Sequence, residues 1–579
     1  MSKKILVERD VEVPMRDGVC LRADIYRAES DQQLPVLLQR TPYGKGFAQI
    51  PFAFMAAEQG YAVVIQDTRG RWSSDGENYP LIYEKEDGYD SLSWIEQQSW
   101  SNGKVGMYGG SYVGYTQWAA AVTHHPALKT IIPAVTFCNP YEMMYSGGAL
   151  SLGIAVSWGL MAQAQMEIER LRGNDPKAVQ IEKARLWEQL IEQVDGMAQK
   201  KTFHHLPLKD LPLIGEAGIT PFFKDLLQHP QPDVYWQRVA CSPEEVKIPA
   251  LYIGGWYDIF IASTLRDFSQ IRSMAQDEWV RNQQKLIVGP WIHGAFEGLN
   301  GEVDFSLQAS WILVLPDETQ LRWFDYWLKG DENGMLEEVP VRIFVMGENR
   351  WRDENEWPLA RTHYVPYYLH SSGVANTLNG DGSLRPIHPV EEPVDTFVFD
   401  PRNPVPTRGG GLCCWQAALP PGAYDQREIE ARPDVLVYST PPLETDLEVT
   451  GSIQVNLWAA SNAPDTDFTA KLVDVGPDGY ARNIQDGIIR ARYRQEGQIS
   501  PLEAAKAYIF KIDLAATSNL FKAGHQIRLE ISSSNFPRFD RNTNTGYPTS
   551  ESSQLVPALQ TIIHDADHPS HILLPVIPR

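Results

Sequence analysis

The sequence lacks long apolar runs: no stretch approaches the ~18 consecutive apolar residues of a membrane-spanning helix. The first residues, Met-Ser-Lys-Lys-Ile-Leu, carry basic side chains, but no apolar segment of signal-peptide length follows them. We therefore expect no membrane partner and no export signal. The cytoplasm is the expected compartment.

Cysteine is also scarce, with five residues in 579, an odd number and no C-x-x-C pair. A disulfide framework and a zinc ribbon are therefore not expected. Cys413 and Cys414 are adjacent, and because vicinal disulfides are rare, free thiols and a reducing compartment are expected. None of the thirteen histidines has metal-ligand spacing such as H-E-x-x-H, so we predict no catalytic metal and no cofactor.

Positive charge is in deficit: 51 Lys and Arg face 73 Asp and Glu, a formal net charge of −22. Such a surface repels phosphate backbones, so a nucleic-acid partner is not expected. What the chain does have is a globular composition, 43% hydrophobic and 21% charged, with a length typical of two to four domains.

Short apolar runs alternate with helical patterns in the first part of the chain. Runs such as 34–39 and 61–66 are followed within a few residues by Gly or Pro, and the run 103–110 leads directly into Ser111 and an apolar helix. Strands alternating with helices are typical of a doubly wound, mostly parallel α/β sheet. The pattern stops near Pro140 and resumes at Ala250.

Four segments follow from these patterns. Residues 1–139 and 245–338 are predicted to form the two parts of the α/β sheet domain. Residues 140–244 show no convincing strand and predict a helical cap, with long helices over 155–172 and 176–200. Residues 339–579 hold short strand-like stretches separated by Pro and Gly, which predicts an all-β sandwich of jelly-roll type. The stretch 365–369 contains Pro366 and is expected to be at best an edge strand.

Ser111 lies in Gly109-Gly-Ser-Tyr-Val-Gly114, where a strand is predicted to meet a helix. A serine on such a sharp turn exposes its hydroxyl above the sheet, and the N–H of Tyr112 is oriented toward a developing oxyanion. The usual pattern is G-x-S-x-G, whereas here the second glycine comes one residue later. A Gly-rich turn without chemistry is the alternative.

Two further residues follow the serine in the chain order that this fold requires. Asp258 follows the predicted strand 251–255, and His293 follows the strand that ends near Pro290. A serine needs a base, and the base needs a carboxylate that fixes its tautomer. We predict Ser111 as nucleophile, His293 as general base and Asp258 as its orienting acid. The alternative makes Asp258 a turn residue and His293 a helix cap.

Six motifs in order resemble the cocaine-esterase-like (CocE/NonD) serine hydrolases, relatives of X-Pro dipeptidyl peptidase. They are Arg40-Thr-Pro-Tyr-Gly44, Gln66-Asp-Thr-Arg-Gly-Arg71, Asp87-Gly-Tyr-Asp90, Gly109-Gly-Ser-Tyr-Val-Gly114, Gly255-Trp-Tyr-Asp258 and Gly289-Pro-Trp-Ile-His293. The resemblance covers nearly the whole chain and implies an α/β-hydrolase fold with a helical cap and a C-terminal jelly roll. It also explains the displaced glycine of the serine motif.

The resemblance implies roles for further residues. Tyr43 matches a tyrosine whose hydroxyl completes the oxyanion hole with the Tyr112 N–H; the alternative is a turn aromatic after Pro42. Phe260 and Trp158 match aromatic positions of the acyl pocket, although such aromatics are more often core residues. A homodimer is implied as well.

The expected reaction is hydrolysis of a small-molecule ester, or an amide, with a bulky or aromatic acyl group. An amidase, a dipeptidyl-peptidase-like or a β-lactam acylase activity, and an acyltransferase remain alternatives, and a non-catalytic binding protein is the least favoured. The carboxylate cluster with which α-amino-acid ester hydrolases of this family hold the substrate ammonium has no match, apart from a lone Glu142.

Overall fold

The first 139 residues form one half of a twisted sheet with helices on its faces. The computed structural model describes residues 4–215, 219–314, 317–495 and 498–578. Every residue of β3 and β4 is buried, as expected for strands covered on both sides. The elements are strands β1 (Ile5–Pro14), β2 (Cys20–Ala28), β3 (Leu34–Thr41), β4 (Ala62–Asp67), β5 (Ser101–Gly110) and β6 (Leu128–Ala134), and helices α1 (Ile50–Glu58), α2 (Glu84–Glu96) and α3 (Tyr112–Ala121).

The next hundred residues form a mainly helical cap. Helix α7 begins where Asp175 accepts hydrogen bonds from the N–H groups of Lys177 and Ala178, with Pro176 in the first turn. The cap consists of α4 (Pro140–Met144), β7 (Tyr145–Ser146), β8 (Ala149–Leu150), α5 (Leu152–Trp158), α6 (Gln165–Arg170), α7 (Pro176–Ala198), α8 (Pro221–Gln228) and α9 (Val234–Val239).

The cap agrees with one prediction and contradicts another. The helix expected over 155–172 runs from Leu152 to Arg170, with a π-helical segment (Gly159–Ala164) between α5 and α6. The cap also contains a strand pair, β7 and β8, where none was predicted. Gly147 and Gly148, both at positive φ (53° and 81°), form the two-residue turn between these strands. Only glycine adopts this conformation at low cost, so a very short hairpin closes here.

The sheet domain then resumes and is completed. Its second half contains β9 (Ala250–Tyr257), α10 (Ile261–Met274), α11 (Glu278–Asn282), β10 (Gln284–Ile292), β11 (Leu299–Asn300), β12 (Val303–Asp304), α12 (Trp311–Val314), α13 (Asp317–Phe324), β13 (Val341–Val345) and β14 (Arg350–Glu354). The strand order is β1-β2-β4-β3-β5-β6-β9-β10-β13-β14, parallel from β4 through β13 and antiparallel at both ends.

The sheet domain extends past residue 339, contrary to prediction. Strand β13 runs parallel to β10, with Val341 opposite Leu286, and β14 pairs antiparallel with β13. Val341 and Ile343 are fully buried in the core of the sheet domain. The first two strands after residue 339 therefore belong to the α/β sheet.

The rest of the chain is an all-β domain, and its strands enclose one apolar core. Pro366 lies in β15, which is not an edge strand: it pairs with β25 on one side and with β16 on the other. Because β16 covers only Tyr368–His370, the proline has a neighbour on one side only. The elements are β15 (His363–His370), β16 (Ser383–Arg385), β17 (Asp395–Phe399), α14 (Arg427–Glu430), β18 (Leu436–Ser439), β19 (Leu447–Ser461), β20 (Asp467–Val475), β21 (Ala481–Arg490), β22 (Tyr508–Phe521), β23 (Gln526–Ser532), β24 (Ala558–Ile563) and β25 (His571–Ile577).

The all-β domain is hydrogen-bonded to the end of strand β9. Gln485 Nε2 donates to the carbonyl oxygen of Trp256 at 2.7 Å, and the Tyr257 hydroxyl donates to the carbonyl oxygen of Asn483 at 2.9 Å. Strand β9 leads directly into Asp258, so these bonds anchor that residue's loop. Within the described ranges, no helix is long and apolar enough to cross a bilayer.

Candidate active site

Ser111 sits on a strained turn between β5 and α3. Its backbone φ is +59° and ψ is −129°, a conformation that non-glycine residues rarely adopt. Its carbonyl oxygen accepts hydrogen bonds from the Tyr115 N–H (3.0 Å) and from the Thr136 hydroxyl (2.6 Å), which hold the turn in place. The strain is therefore maintained by the surrounding fold, as in a nucleophile elbow.

The glycines of the serine motif are required by close approaches. A Cβ at Gly109 would lie 2.4 Å from Cγ1 of Val113, and a Cβ at Gly114 would lie 2.6 Å from Cβ of Thr136. The Val113 side chain can therefore pack against residue 109 only because that residue is glycine. The other position without room for a side chain is residue 114, where Thr136 lies close. This packing accounts for the glycine that comes one position later than in G-x-S-x-G.

Ser111, His293 and Asp258 form a hydrogen-bonded row. Nε2 of His293 lies 3.1 Å from Oγ of Ser111, and Nδ1 of His293 lies 2.6 Å from Oδ2 of Asp258. The other carboxylate oxygen accepts the Phe260 N–H at 2.7 Å. The Asp258 side chain is fully buried and that of His293 is 10% exposed. A buried carboxylate on Nδ1 leaves Nε2 free to accept the serine proton.

The loops that carry the acid and the base pack tightly on each other. A Cβ at Gly255 would lie 2.3 Å from the carbonyl oxygen of Trp291, and a Cβ at Gly289 would lie 2.3 Å from the Trp291 ring. The Trp291 indole is fully buried and donates to the carbonyl oxygen of Ala309 at 2.7 Å. The glycines in the two motifs thus allow Asp258 and His293 to meet.

Tyr43 lines the same cavity as Ser111, and Tyr112 follows Ser111 at the start of α3. The Tyr43 hydroxyl accepts a hydrogen bond from the Trp158 indole at 3.4 Å. Burial raises the pKa of Tyr43, and its contacts with Trp158 and Ser111 oppose that shift, so the phenol stays protonated at neutral pH. The N–H of Tyr112 is in the first turn of α3, where no intrahelical acceptor exists.

Behind these tyrosines lies a buried ion network built from three of the sequence motifs. Arg40 pairs with Glu84 at 2.8 Å, and Arg69 pairs with Asp87 at 2.6 Å and with Asp17 at 2.7 Å. The Tyr112 hydroxyl donates to Glu84 at 2.9 Å. The network therefore fixes the Tyr112 side chain, while its N–H lies in the first turn of α3.

A cavity of about 360 Å³, here called the Ser111 cavity, opens onto the serine. The cap supplies Trp158 and residues of the π-helical segment, and the all-β domain supplies Cys414. Its lining comprises Tyr43, Arg71, Trp72, Ser111, Trp158, Met161, Ala162, Gln165, Met166, His293 and Cys414. All three parts of the molecule therefore form its wall. Arg71, Met161 and Met166 were not singled out from the sequence, because only the folded cap brings them to the serine.

The two aromatic residues predicted for the acyl pocket, Trp158 and Phe260, line different cavities. Trp158 lines the Ser111 cavity and stacks on Tyr112 with ring centroids 6.1 Å apart. Phe260 instead packs its ring perpendicular to that of His293 at 5.1 Å and lines a second cavity of about 270 Å³, here called the rear cavity. The Phe260 N–H donates to Asp258, and its ring also packs against Phe137 at 4.9 Å.

Cys413 and Cys414 are joined in a vicinal disulfide, so the expectation of free thiols is wrong for this pair. Cys414 adopts a φ of +79°, and this turn in the loop brings the two sulfur atoms together. Cys20, Cys138 and Cys241 are free. Cys413 lines the rear cavity and Cys414 the Ser111 cavity, so the loop separates the two spaces.

A second, partly buried serine–histidine pair occurs in the sheet domain. Oγ of Ser93 lies 3.0 Å from Nε2 of His125, but Nδ1 of this histidine accepts the N–H of Ala127 at 3.2 Å. Nε2 therefore carries the proton and cannot serve as a base toward Ser93. In the described part of the chain no group of three His, Cys, Asp or Glu is arranged to hold a metal ion.

A serine on a strained strand–helix turn, hydrogen-bonded to a histidine and a buried aspartate at the carboxyl ends of later strands, defines a serine hydrolase of the α/β-hydrolase class. Family models agree with this class. Residues 17–295 match the X-Pro dipeptidyl-peptidase (S15 family) model, and residues 333–573 match the X-Pro dipeptidyl-peptidase C-terminal non-catalytic domain.

Individual proteins match over the full length. The chain is 39% identical to the cocaine esterase of Rhodococcus sp. (strain MB1 Bresler), with 99% of each chain covered. An α-amino acid ester hydrolase structure matches with a TM-score of 0.81 at 25% identity, covering 99% of this chain and 97% of the other. An aminopeptidase structure from a marine sediment Thaumarchaeota archaeon shares the fold, with a TM-score of 0.79 at 24% identity and coverage of 100% and 97%. The chain belongs to the cocaine-esterase-like (CocE/NonD) family of serine hydrolases.

Proposed function

We propose that this serine hydrolase cleaves carboxylic esters of a bulky or aromatic acyl group through a covalent acyl-enzyme on Ser111. The observation that carries the proposal is the continuous hydrogen-bonded row from Ser111 Oγ through His293 to the buried Asp258. The row opens into a cavity walled by an indole and thioether side chains, which suits an apolar or aromatic acyl group.

In the proposed reaction, Ser111 Oγ attacks the ester carbonyl carbon while His293 Nε2 takes the serine proton. The Tyr43 hydroxyl and the Tyr112 N–H stabilise the oxyanion of the tetrahedral intermediate. The intermediate breaks its bond to the alcohol, which leaves with the proton from His293. Water, deprotonated by the same histidine, then attacks the acyl-enzyme and releases the acid.

The lining of the cavity favours an ester over a substrate with a free amino terminus. A buried ammonium group needs a carboxylate partner, since an unpaired charge is strongly destabilised away from water. Among the described residues, no Asp or Glu lines the Ser111 cavity. A dipeptidyl-peptidase-like or α-amino-acid-specific activity is therefore disfavoured on this ground.

Burst kinetics with p-nitrophenyl esters of graded acyl size test the proposal. Wild type should release a stoichiometric burst of nitrophenol, and Ser111→Ala should release none. Ser93→Ala is the matched control. Ser93 also contacts a histidine, but the nitrogen of His125 that faces it carries a proton and cannot act as a base. If Ser111→Ala retains the burst, or if a fluorophosphonate fails to label wild type at Ser111, the proposal is wrong.

A further inference from the structure

Arg71 places a buried guanidinium in the wall of the Ser111 cavity. It follows strand β4, and its residue is 2% exposed. Nε donates to the carbonyl oxygen of Pro42 at 2.8 Å, and Nη2 donates to the carbonyl oxygen of Ala162 at 2.5 Å. Nη1 is buried and has no hydrogen-bond partner within the described ranges. The side chain thus has hydrogen-bonding capacity that the protein leaves unused.

The charge of Arg71 is also unmatched. Its buried neighbours Arg40 and Arg69 each pair with carboxylates, whereas no carboxylate of the described residues lies within 4.0 Å of the Arg71 nitrogens. Glu167 attracts it from a distance, but that carboxylate is hydrogen-bonded to Asn78 at 2.8 Å. Burial lowers the pKa of Arg71 to about 10, so the guanidinium keeps its charge at neutral pH.

We infer that Arg71 binds a carboxylate of the substrate, so that the preferred esters are half-esters of dicarboxylic acids. The inference rests on the proposed ester hydrolysis at Ser111 and names its substrate class. A buried cation is destabilised until an anion pairs with it, and guanidinium–carboxylate hydrogen bonds are among the strongest in proteins. No described carboxylate of the cavity wall competes for this position.

The remaining lining fits the body of such a substrate. Trp158, Met161 and Met166 supply an apolar surface between the serine and the rest of the wall. A cavity of about 360 Å³ holds a single substituted aromatic or short aliphatic acid. The reacting ester carbonyl would lie at Ser111 and the free carboxylate at Arg71.

The same arginine also fixes two backbone segments, the Pro42 turn beside Tyr43 and the cap at Ala162. A purely structural role for Arg71 would therefore lower activity toward every ester alike. Loss of a carboxylate-binding residue would instead change the ratio of kcat/KM between two substrates that differ in charge. The test must measure that ratio.

Three p-nitrophenyl esters of matched size provide it: the half-ester of terephthalic acid, the ester of terephthalamic acid, and the ester of p-(aminomethyl)benzoic acid. In wild type, kcat/KM should be highest for the anionic ester. Arg71→Met should lower the ratio of anionic to neutral ester by about 10- to 100-fold. Arg71→Lys, which keeps the charge but loses the planar fork, should retain part of the preference.

The control variant is Arg170→Met. Arg170 lies in the cap and donates to the carbonyl oxygens of Ser74 and Gly76, but it does not line the cavity. Its loss should leave the ratio unchanged. The inference is overturned if Arg71→Met still cleaves the neutral ester and its ratio of kcat/KM for the anionic to the neutral ester equals that of wild type. Absence of Ser111-dependent cleavage in wild type would instead overturn the proposed function.

Product inhibition of wild type covers the case in which Arg71→Met does not fold. Terephthalamate should inhibit hydrolysis of the neutral ester about 10-fold or more tightly than terephthalamide, since only terephthalamate carries a carboxylate that can pair with Arg71. Equal inhibition by the two compounds would overturn the inference without any variant.

Discussion

Two cavities flank the Asp258–His293 pair and differ in their charges. The Ser111 cavity is apolar apart from Tyr43, Ser111, His293, Gln165 and Arg71. The rear cavity is lined by charges of both signs, and four of these form two pairs, Arg266 with Glu142 and Arg538 with Asp486. One cavity offers an unsatisfied charge beside Ser111, the proposed nucleophile, whereas the other joins the sheet domain, the cap and the all-β domain.

The difference shows how a substrate-binding cavity can be distinguished from a cavity of similar size between domains. The volumes do not distinguish the two cavities, because about 360 Å³ and about 270 Å³ are comparable. The useful criterion is whether the polar groups of a cavity already have hydrogen-bond or ion-pair partners within the protein. Charges that neutralise each other stabilise the protein, and a buried group without a partner is available to a ligand.

The largest expected effect on catalysis is that of Asp258→Asn. Replacing the acid leaves the shape of the site intact but favours the wrong tautomer of His293, so kcat should fall about ten-thousand-fold. The measurement is steady-state hydrolysis of a p-nitrophenyl ester. Asp513→Asn, which alters an acid of the rear cavity, should change kcat little. Equal losses in the two variants would contradict the division between the cavities.

Tyr43→Phe should have the next largest effect. Removing one oxyanion donor should lower kcat by about 10²–10³ with little change in KM, because the hydroxyl acts mainly on the transition state. Burial raises the pKa of Tyr43 above its usual value of 10, so the wild-type phenol stays protonated below pH 10. The ratio of wild-type to variant kcat should therefore be the same at neutral pH and at pH 9. A ratio that falls between these pH values would contradict a neutral donor.

In the rear cavity, Arg538→Met should act on stability. It leaves the buried Asp486 without its cation, which should reduce the free energy of unfolding by about 3–5 kcal/mol. The urea midpoint should fall while kcat/KM of the folded enzyme stays near wild type. The double variant Arg538→Met/Asp486→Leu should recover much of the midpoint. A large loss of kcat/KM at an unchanged midpoint would contradict the interface role.

The sequence predicted the row of Ser111, His293 and Asp258 as neighbours because the signals are local. Each residue follows an apolar strand directly, and in a parallel sheet the carboxyl ends of strands share one edge. The glycines at 255 and 289 were visible as motifs, but their reason, the Trp291 ring and backbone between them, needs the folded loops.

Features set by distant partners were not predictable. The direction of the Phe260 ring depends on a hydrogen bond to Asp258 and on a contact with Phe137, more than a hundred residues earlier. Strand β21 contains charged residues that are typical of a loop. In the fold, Arg490 of this strand is buried between Asp467 and Asp540, at 2.9 Å from each.

The smallest expected effect comes from the disulfide that separates the two cavities. Cys413→Ala and Cys414→Ala both remove the disulfide, but only Cys414 lines the Ser111 cavity. Cys414→Ala should raise kcat/KM for larger acyl groups relative to smaller ones by roughly 10-fold or less, since the loss of one wall atom widens the cavity slightly. Cys413→Ala, its matched control, should leave the ranking unchanged because it opens only the rear cavity. Equal shifts would mean that the disulfide itself, rather than the wall atom, shapes the pocket, and the two cavities would then be coupled through this loop.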